Sequence, residues 1–173
     1  MLSIDKADWH KIIKSMIEIS NLKKINPNDP NLKMIVPKEK GIYFWIVKNT
    51  EKLMYIGKAS GKEGLYRRII GQHLRPAYIE YRENKGRNQI TDAYQIKYAI
   101  IRERDGAKGI DQSSFRRSVG SAFNIKPGIH TVNYIKDNFY LIFIVIKNVD
   151  EIKAIEKEMI ITLKPFLNKD HNR

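Results

Sequence analysis

The sequence predicts a small α/β or α+β domain preceded by a helical extension, and three observations predict it. Two short apolar runs, GIYFWIVK at 41–48 and KLMYIGKA at 52–59, flank a polar turn around Asn49 and Thr50, the pattern of a β-hairpin. A continuous β-branched and aromatic run over 138–147 reads as a strand central in its sheet. Helical spacing then fills EIKAIEKEMIITLK, 151–164, with Asp150 as its cap and Pro165 as its stop.

The remaining elements follow in order. Residues 3–19 read as a helix, because Trp9, Ile12, Ile13, Met16 and Ile17 line one face. The next stretch, 21–33, holds Pro27 and Pro30 and shows no periodicity. After the hairpin, GKEGLYRRIIGQHL opens in a glycine-flanked loop and becomes helical near Leu65. Residues 91–104 read as a helix with Ile90, Tyr94, Tyr98 and Ile101 on one face, although QIKYAII also fits a strand. Residues 106–112 read as a loop, after which Ser113 and Ser114 offer an N-cap to the basic helix FRRSVGSAF. No internal repeat or low-complexity tract is present.

Composition narrows the function classes. The 173 residues contain no cysteine, which excludes disulfides, thiolate metal sites and cysteine nucleophiles. The longest apolar run, 139–146, is too short to span a bilayer as a helix, and MLSIDKADWHK lacks the apolar stretch of a signal peptide. A cytoplasmic protein with no membrane partner is the expectation. Lysine and arginine number 32 against 19 acidic residues, a net charge of +13. Residues 58–117 alone hold fourteen Lys/Arg against seven Asp/Glu. Such a field rewards a polyanion, so nucleic acid is the expected partner.

The usual catalytic fingerprints are missing. His10, His73, His130 and His171 form no metal-ligand spacing, and there is no Walker loop, GxGxxG or GxSxG. What remains is a tyrosine on each hairpin strand, arginines on the next helix and a carboxylate on the last one.

In these residues the chain resembles the GIY-YIG nucleases. Gly41-Ile42-Tyr43 and Tyr55-Ile56-Gly57 match the two name-giving tripeptides, with eleven residues between the tyrosines and Pro37 upstream. Leu65-Tyr66-Arg67-Arg68 resembles the helix that carries the family's catalytic arginine, placed here at Arg68, and His73 resembles a histidine further along it. Glu156 and Lys164-Pro165-Phe166-Leu167-Asn168 resemble the segment with the metal-binding glutamate and the terminal asparagine. The resemblance covers about residues 37–168. It implies a small central antiparallel three-stranded sheet flanked by helices, in a nuclease domain over 37–173. Residues 1–36 would be an N-terminal helical extension and linker, and a helical insertion would occupy about 80–112.

The implied activity is hydrolysis of phosphodiester bonds, most simply in double-stranded DNA, by one divalent metal ion, Mg²⁺ or Mn²⁺. The implied catalytic set is Tyr43, Tyr55, Arg68, His73 and Glu156, with Glu156 as metal ligand. Lys58, Arg67, Ser114, Arg116, Arg117 and Asn168 are the expected substrate contacts. The residue types suit this chemistry. Arg68 can give two parallel hydrogen bonds to phosphate oxygens, and one carboxylate can hold Mg²⁺ if phosphate and water complete its shell. Tyr43 can act as base if metal, Arg68 or Lys58 lowers its pKa from near 10. Which tyrosine is the base is open, as is whether His73 does chemistry, binds phosphate or caps a helix.

The segment Ser113-Ser114-Phe115-Arg116-Arg117-Ser118 reads as a helix N-terminus with hydroxyls and arginines for phosphate, or equally as a capped helix with a charged solvent face. Cutting both strands of a duplex calls for two copies or sequential nicking, so a homodimer is compatible. A compact type II restriction enzyme is the leading role. The alternatives are a structure-specific repair or recombination nuclease, an RNA-directed nuclease, and a non-catalytic nucleic-acid-binding module.

Overall fold

The computed structural model describes residues 22–82, 93–98, 100–102, 104 and 107–168; the helix expected over 3–19 lies outside these. In chain order the elements are α1 (Leu32–Ile35), β1 (Gly41–Val47), β2 (Leu53–Ala59), α2 (Gly64–Arg68) running into a π-helical turn (Ile69–His73), β3 (Ile79–Arg82), α3 (Ala93–Lys97), β4 (Ile100–Ile101), β5 (Lys108–Asp111), α4 (Ser114–Phe123), α5 (Ile129–Asn138), β6 (Phe139–Val145) and α6 (Val149–Leu163). They fall into two compact units, one from Met1–Ile70 with Lys136–Arg173 and one from Gly71–Ile135. Among the described residues no helix is long and apolar enough to cross a membrane.

The first unit is built on an antiparallel sheet of order β2-β1-β6. Strand side chains alternate between faces, so Ile42, Phe44 and Ile46 share one face with Ile56, Ile142 and Ile144. Against that face α6 lays Ile152, Ile155, Met159 and Ile160, whose spacing forms one apolar stripe, and together they make the core cluster. The cap of α6 is Asn148, whose side chain accepts from the Asp150 amide at 3.2 Å; Asp150, expected as the cap, is the second helical residue.

The strand expected to be central, β6, is outermost of the three, and β1 is the central one. The apolar run of β6 is nevertheless satisfied. Ile25 forms an antiparallel bridge with Leu141 along its outer edge, with both amide-to-carbonyl bonds at 2.8 and 2.9 Å.

Among the glycines that geometry requires, two lie beside the candidate site. A Cβ on Gly57 would lie 2.2 Å from the Tyr43 hydroxyl, because Gly57 is the cross-strand partner of Tyr43 and the ring lies over it. Gly64 has φ +45°, and a Cβ there would meet the Glu39 carbonyl oxygen at 1.9 Å. That close approach lets the carbonyls of Glu39 and Pro37 accept from the first amides of α2, at Leu65 and Tyr66. Gly57→Ala is therefore expected to destabilise the protein by about 1–3 kcal/mol through overpacking, read as a lower urea midpoint with unchanged m-value.

The second unit was expected to contribute a helical insertion over about 80–112, and here the structure corrects the expectation. It spans 71–135 and holds its own antiparallel sheet of order β3-β5-β4. The loop expected over 106–112 contains β5, and the helix expected over 91–104 is, among the described residues, the single turn and a half of α3 followed by β4. Helix α4 starts where expected, with the Ser113 side chain accepting from the Arg116 amide at 3.2 Å.

Candidate active site

Register decides how the two tyrosines meet. Tyr43 lies opposite Gly57 and Tyr55 lies opposite Trp45, so the tyrosines are diagonal neighbours on one face of the hairpin. Their rings stack at 6.3 Å between centroids. The small Gly57 leaves the space into which the Tyr43 ring folds, and Tyr43 is completely buried.

Helix α2 adds a cation. Arg68 Nε donates to the Tyr43 hydroxyl oxygen at 3.3 Å. The neighbouring Arg67 is exposed and pairs with Glu63 at 3.7 Å. From α6, Glu156 is 12% exposed and forms an ion pair with Lys58 of β2, which is 35% exposed. Glu158, two residues on, faces solvent. The first unit thus holds Tyr43, Tyr55 and Arg68 in contact and, from β2 and α6, the Lys58–Glu156 ion pair.

Burial dominates the electrostatics of Tyr43. Burial pushes its phenol well above its ordinary pKa, Tyr55 and Glu156 push it the same way, and the pull of Arg68 downward is outweighed. The phenol is therefore neutral at physiological pH, rather than poised to ionise. The native state keeps this proton where the unfolded chain, with a pKa near 10, releases it. Its stabilising contribution is full below pH 10 and is lost as pH climbs toward the folded value. Urea midpoints of the wild type should fall between about pH 9.5 and 11, and Tyr43→Phe should flatten that slope.

Asn168, also counted among the expected substrate contacts, lies in the same unit and orients neighbouring backbone, as its family likeness suggested. Its side-chain oxygen accepts from the Ile56 amide at 2.9 Å and its nitrogen donates to the Ile56 carbonyl at 2.8 Å. Leu167 N also donates to Met54 O at 2.8 Å, so residues 167–168 are hydrogen-bonded to β2. Asn168 holds the strand that carries Tyr55, Gly57 and Lys58.

The other expected site residues belong to the second unit. His73 is fully buried, with Nδ1 2.7 Å from Ser113 Oγ and its ring edge-on to Phe115 at 5.5 Å. Ser114 and Arg117 on α4 are half-buried. Arg116, expected at a phosphate, is fully buried instead: Nε and Nη2 donate to Asp111 Oδ1 at 3.1 and 2.8 Å, Nη2 donates to Tyr78 O at 3.0 Å, and Nη1 donates to Arg75 O. Its donors are spent inside the unit. The residue that draws it inward, Asp111, was not singled out from the sequence. The signal was present as Asp-x-Ser-x-x-Arg, where Asp111 also accepts from the Ser113 amide at 2.9 Å.

A divalent metal finds a limited donor set. Among the described residues no group of three or more His, Asp or Glu side chains could cage an ion. Glu156 alone fits one that keeps most of its water, and this carboxylate already balances one positive charge, that of Lys58. No protein-family model matches the chain, and no curated protein matches it either.

Proposed function

We propose that the first unit is the catalytic core of a metal-dependent endonuclease of the GIY-YIG kind, which hydrolyses phosphodiester bonds in DNA. The observation that carries this reading is convergence on one hydroxyl: Tyr55, Arg68 and Glu156, from separate elements, all act electrostatically on the buried Tyr43. A buried tyrosine hydrogen-bonded to a cation and stacked on a second tyrosine is a set that a reaction developing charge can use.

Each side chain has a task in that reaction. Arg68 faces the phosphate and balances charge as the phosphorane forms. Tyr43, held neutral and hydrogen-bonded by Arg68 Nε, fixes that guanidinium in place. Tyr55 orients the reacting groups beside it. Glu156 would hold Mg²⁺ or Mn²⁺, which when bound neutralises phosphate charge and makes water a better nucleophile. Asn168 fixes β2 and so the placement of Tyr55 and Lys58.

Recognition is assigned to residues 71–135, which contain eleven Lys/Arg against six Asp/Glu. A type II restriction enzyme is the role we assign to it, and duplex cleavage then takes two copies. The test is conversion of supercoiled plasmid to nicked or linear forms with Mg²⁺ or Mn²⁺, and its loss in EDTA. Discrete fragments support restriction, and random nicks a less specific nuclease. If plasmid, junction, flap and RNA substrates all stay intact while salt-sensitive binding persists, the protein is a binding module and this reading is wrong.

A further inference from the structure

We propose that Lys58 is a resident counter-ion on Glu156, which a divalent metal must displace, so that metal loading is held back until a phosphate draws the lysine away. This rests on the nuclease reading of the same site. Lys58 and Glu156 are 98 residues apart in sequence yet form a direct ion pair through Oε2. The carboxylate is 12% exposed, so it needs a cation beside it at all times.

Two cations cannot share one carboxylate without repulsion. A metal arriving at Glu156 meets the Lys58 ammonium already seated, and the ammonium must move. Its position favours such a move, because the side chain is 35% exposed and sits on a flexible four-carbon stem. The destination that restores its balance is an anion, and the anion the reaction supplies is a substrate phosphate. Substrate thus frees the carboxylate for metal. By thermodynamic reciprocity metal then tightens substrate by the same factor. Lys58 is in this sense a positioning residue that couples two binding events.

The experiment is Mn²⁺ titration without nucleic acid, followed by the electron paramagnetic resonance signal of the free ion. It compares wild type, Lys58→Met, Glu156→Gln and the double variant, each checked for native circular dichroism. Lys58→Met should bind Mn²⁺ roughly tenfold tighter than wild type, within the usual span of coupling between sites. The gain should vanish in the double variant, and Lys58→Met should cut plasmid more slowly despite its tighter metal. A merely structural lysine would not move affinity and rate in opposite directions. If Lys58→Met binds Mn²⁺ no more tightly than wild type while Glu156→Gln abolishes binding, the counter-ion proposal is overturned and the nuclease reading stands. If Glu156→Gln binds as wild type does, the metal assignment itself falls, and the proposal with it. Should Lys58→Met fail to fold, Lys58→Gln serves the same comparison with a polar, uncharged side chain.

Discussion

Glu156→Ala and Arg68→Ala should each lower metal-dependent plasmid cleavage by on the order of 10²–10³-fold, the usual cost of removing one preorganised charge from a reaction centre. Glu156 is the only carboxylate of α6 that is both partly buried and paired with a site lysine, and Arg68 is the cation whose Nε contacts Tyr43. Neither change should unfold the protein. Removing Glu156 leaves an ammonium that is 35% exposed and can turn to water, and Arg68 is half-buried. Native circular dichroism with lost cutting is therefore the expected pair of readouts. Arg68→Lys sharpens the test. It keeps the charge but loses the planar fork and the Nε–Tyr43 bond, so it should recover little of the activity. Full activity in Arg68→Lys would mean that only charge is needed there. Full activity in Glu156→Ala would remove the metal from this carboxylate. Arg67→Ala, with its side chain exposed against Glu63, removes only a screened surface charge and should cost far less than Arg68→Ala.

What sequence could reveal here depended on the range of the interaction concerned. The hairpin was legible because its information is local: alternation, a short polar turn and glycines opposite bulky rings lie within 19 residues, Gly41 to Ala59. Which strand is central was not legible, since that is decided by β2 and β6 both pairing with β1, and no periodicity announces such partners. The second sheet was hidden for a similar reason. KGID in β5 has one bulky apolar residue and becomes a strand through its neighbours β3 and β4. Helix α5, which the sequence did not single out, buries β-branched Thr131 and Val132 along with Ile135. In the candidate site, Tyr43, Tyr55, Arg68 and Glu156 could be singled out by type and order. The direction of the Tyr43 pKa shift and the Lys58–Glu156 pair could not, because both depend on contacts between distant segments.

Arg116→Met is expected to cost about 3–5 kcal/mol, the range for breaking a buried ion pair from one side, and to do so without weakening any phosphate contact. Asp111 is 1% exposed and its Oδ1 takes three hydrogen bonds, two from Arg116 and one from the Ser113 amide, while Oδ2 has no hydrogen-bond partner among the described residues. Without the guanidinium, a buried carboxylate is left with one amide, and the carbonyls of Arg75 and Tyr78 lose a donor. Asp111→Asn should restore part of the loss in the Arg116→Met background, because it removes the charge and keeps the Oδ1 acceptor; a double-mutant cycle on urea midpoints measures the coupling. Protonation offers an independent check. Burial already raises the Asp111 carboxyl against the pull of Arg116, and removing Arg116 raises it further. The native variant then takes up a proton at higher pH than its unfolded chain does, so its deficit should shrink as pH falls from 7 toward 4. If Arg116 contacted phosphate instead, Arg116→Met would leave urea midpoints unchanged and reduce the salt dependence of DNA binding by about one unit of slope. A surface role and a buried one thus predict opposite pairs of results, and the geometry around Asp111 commits this arginine to the second.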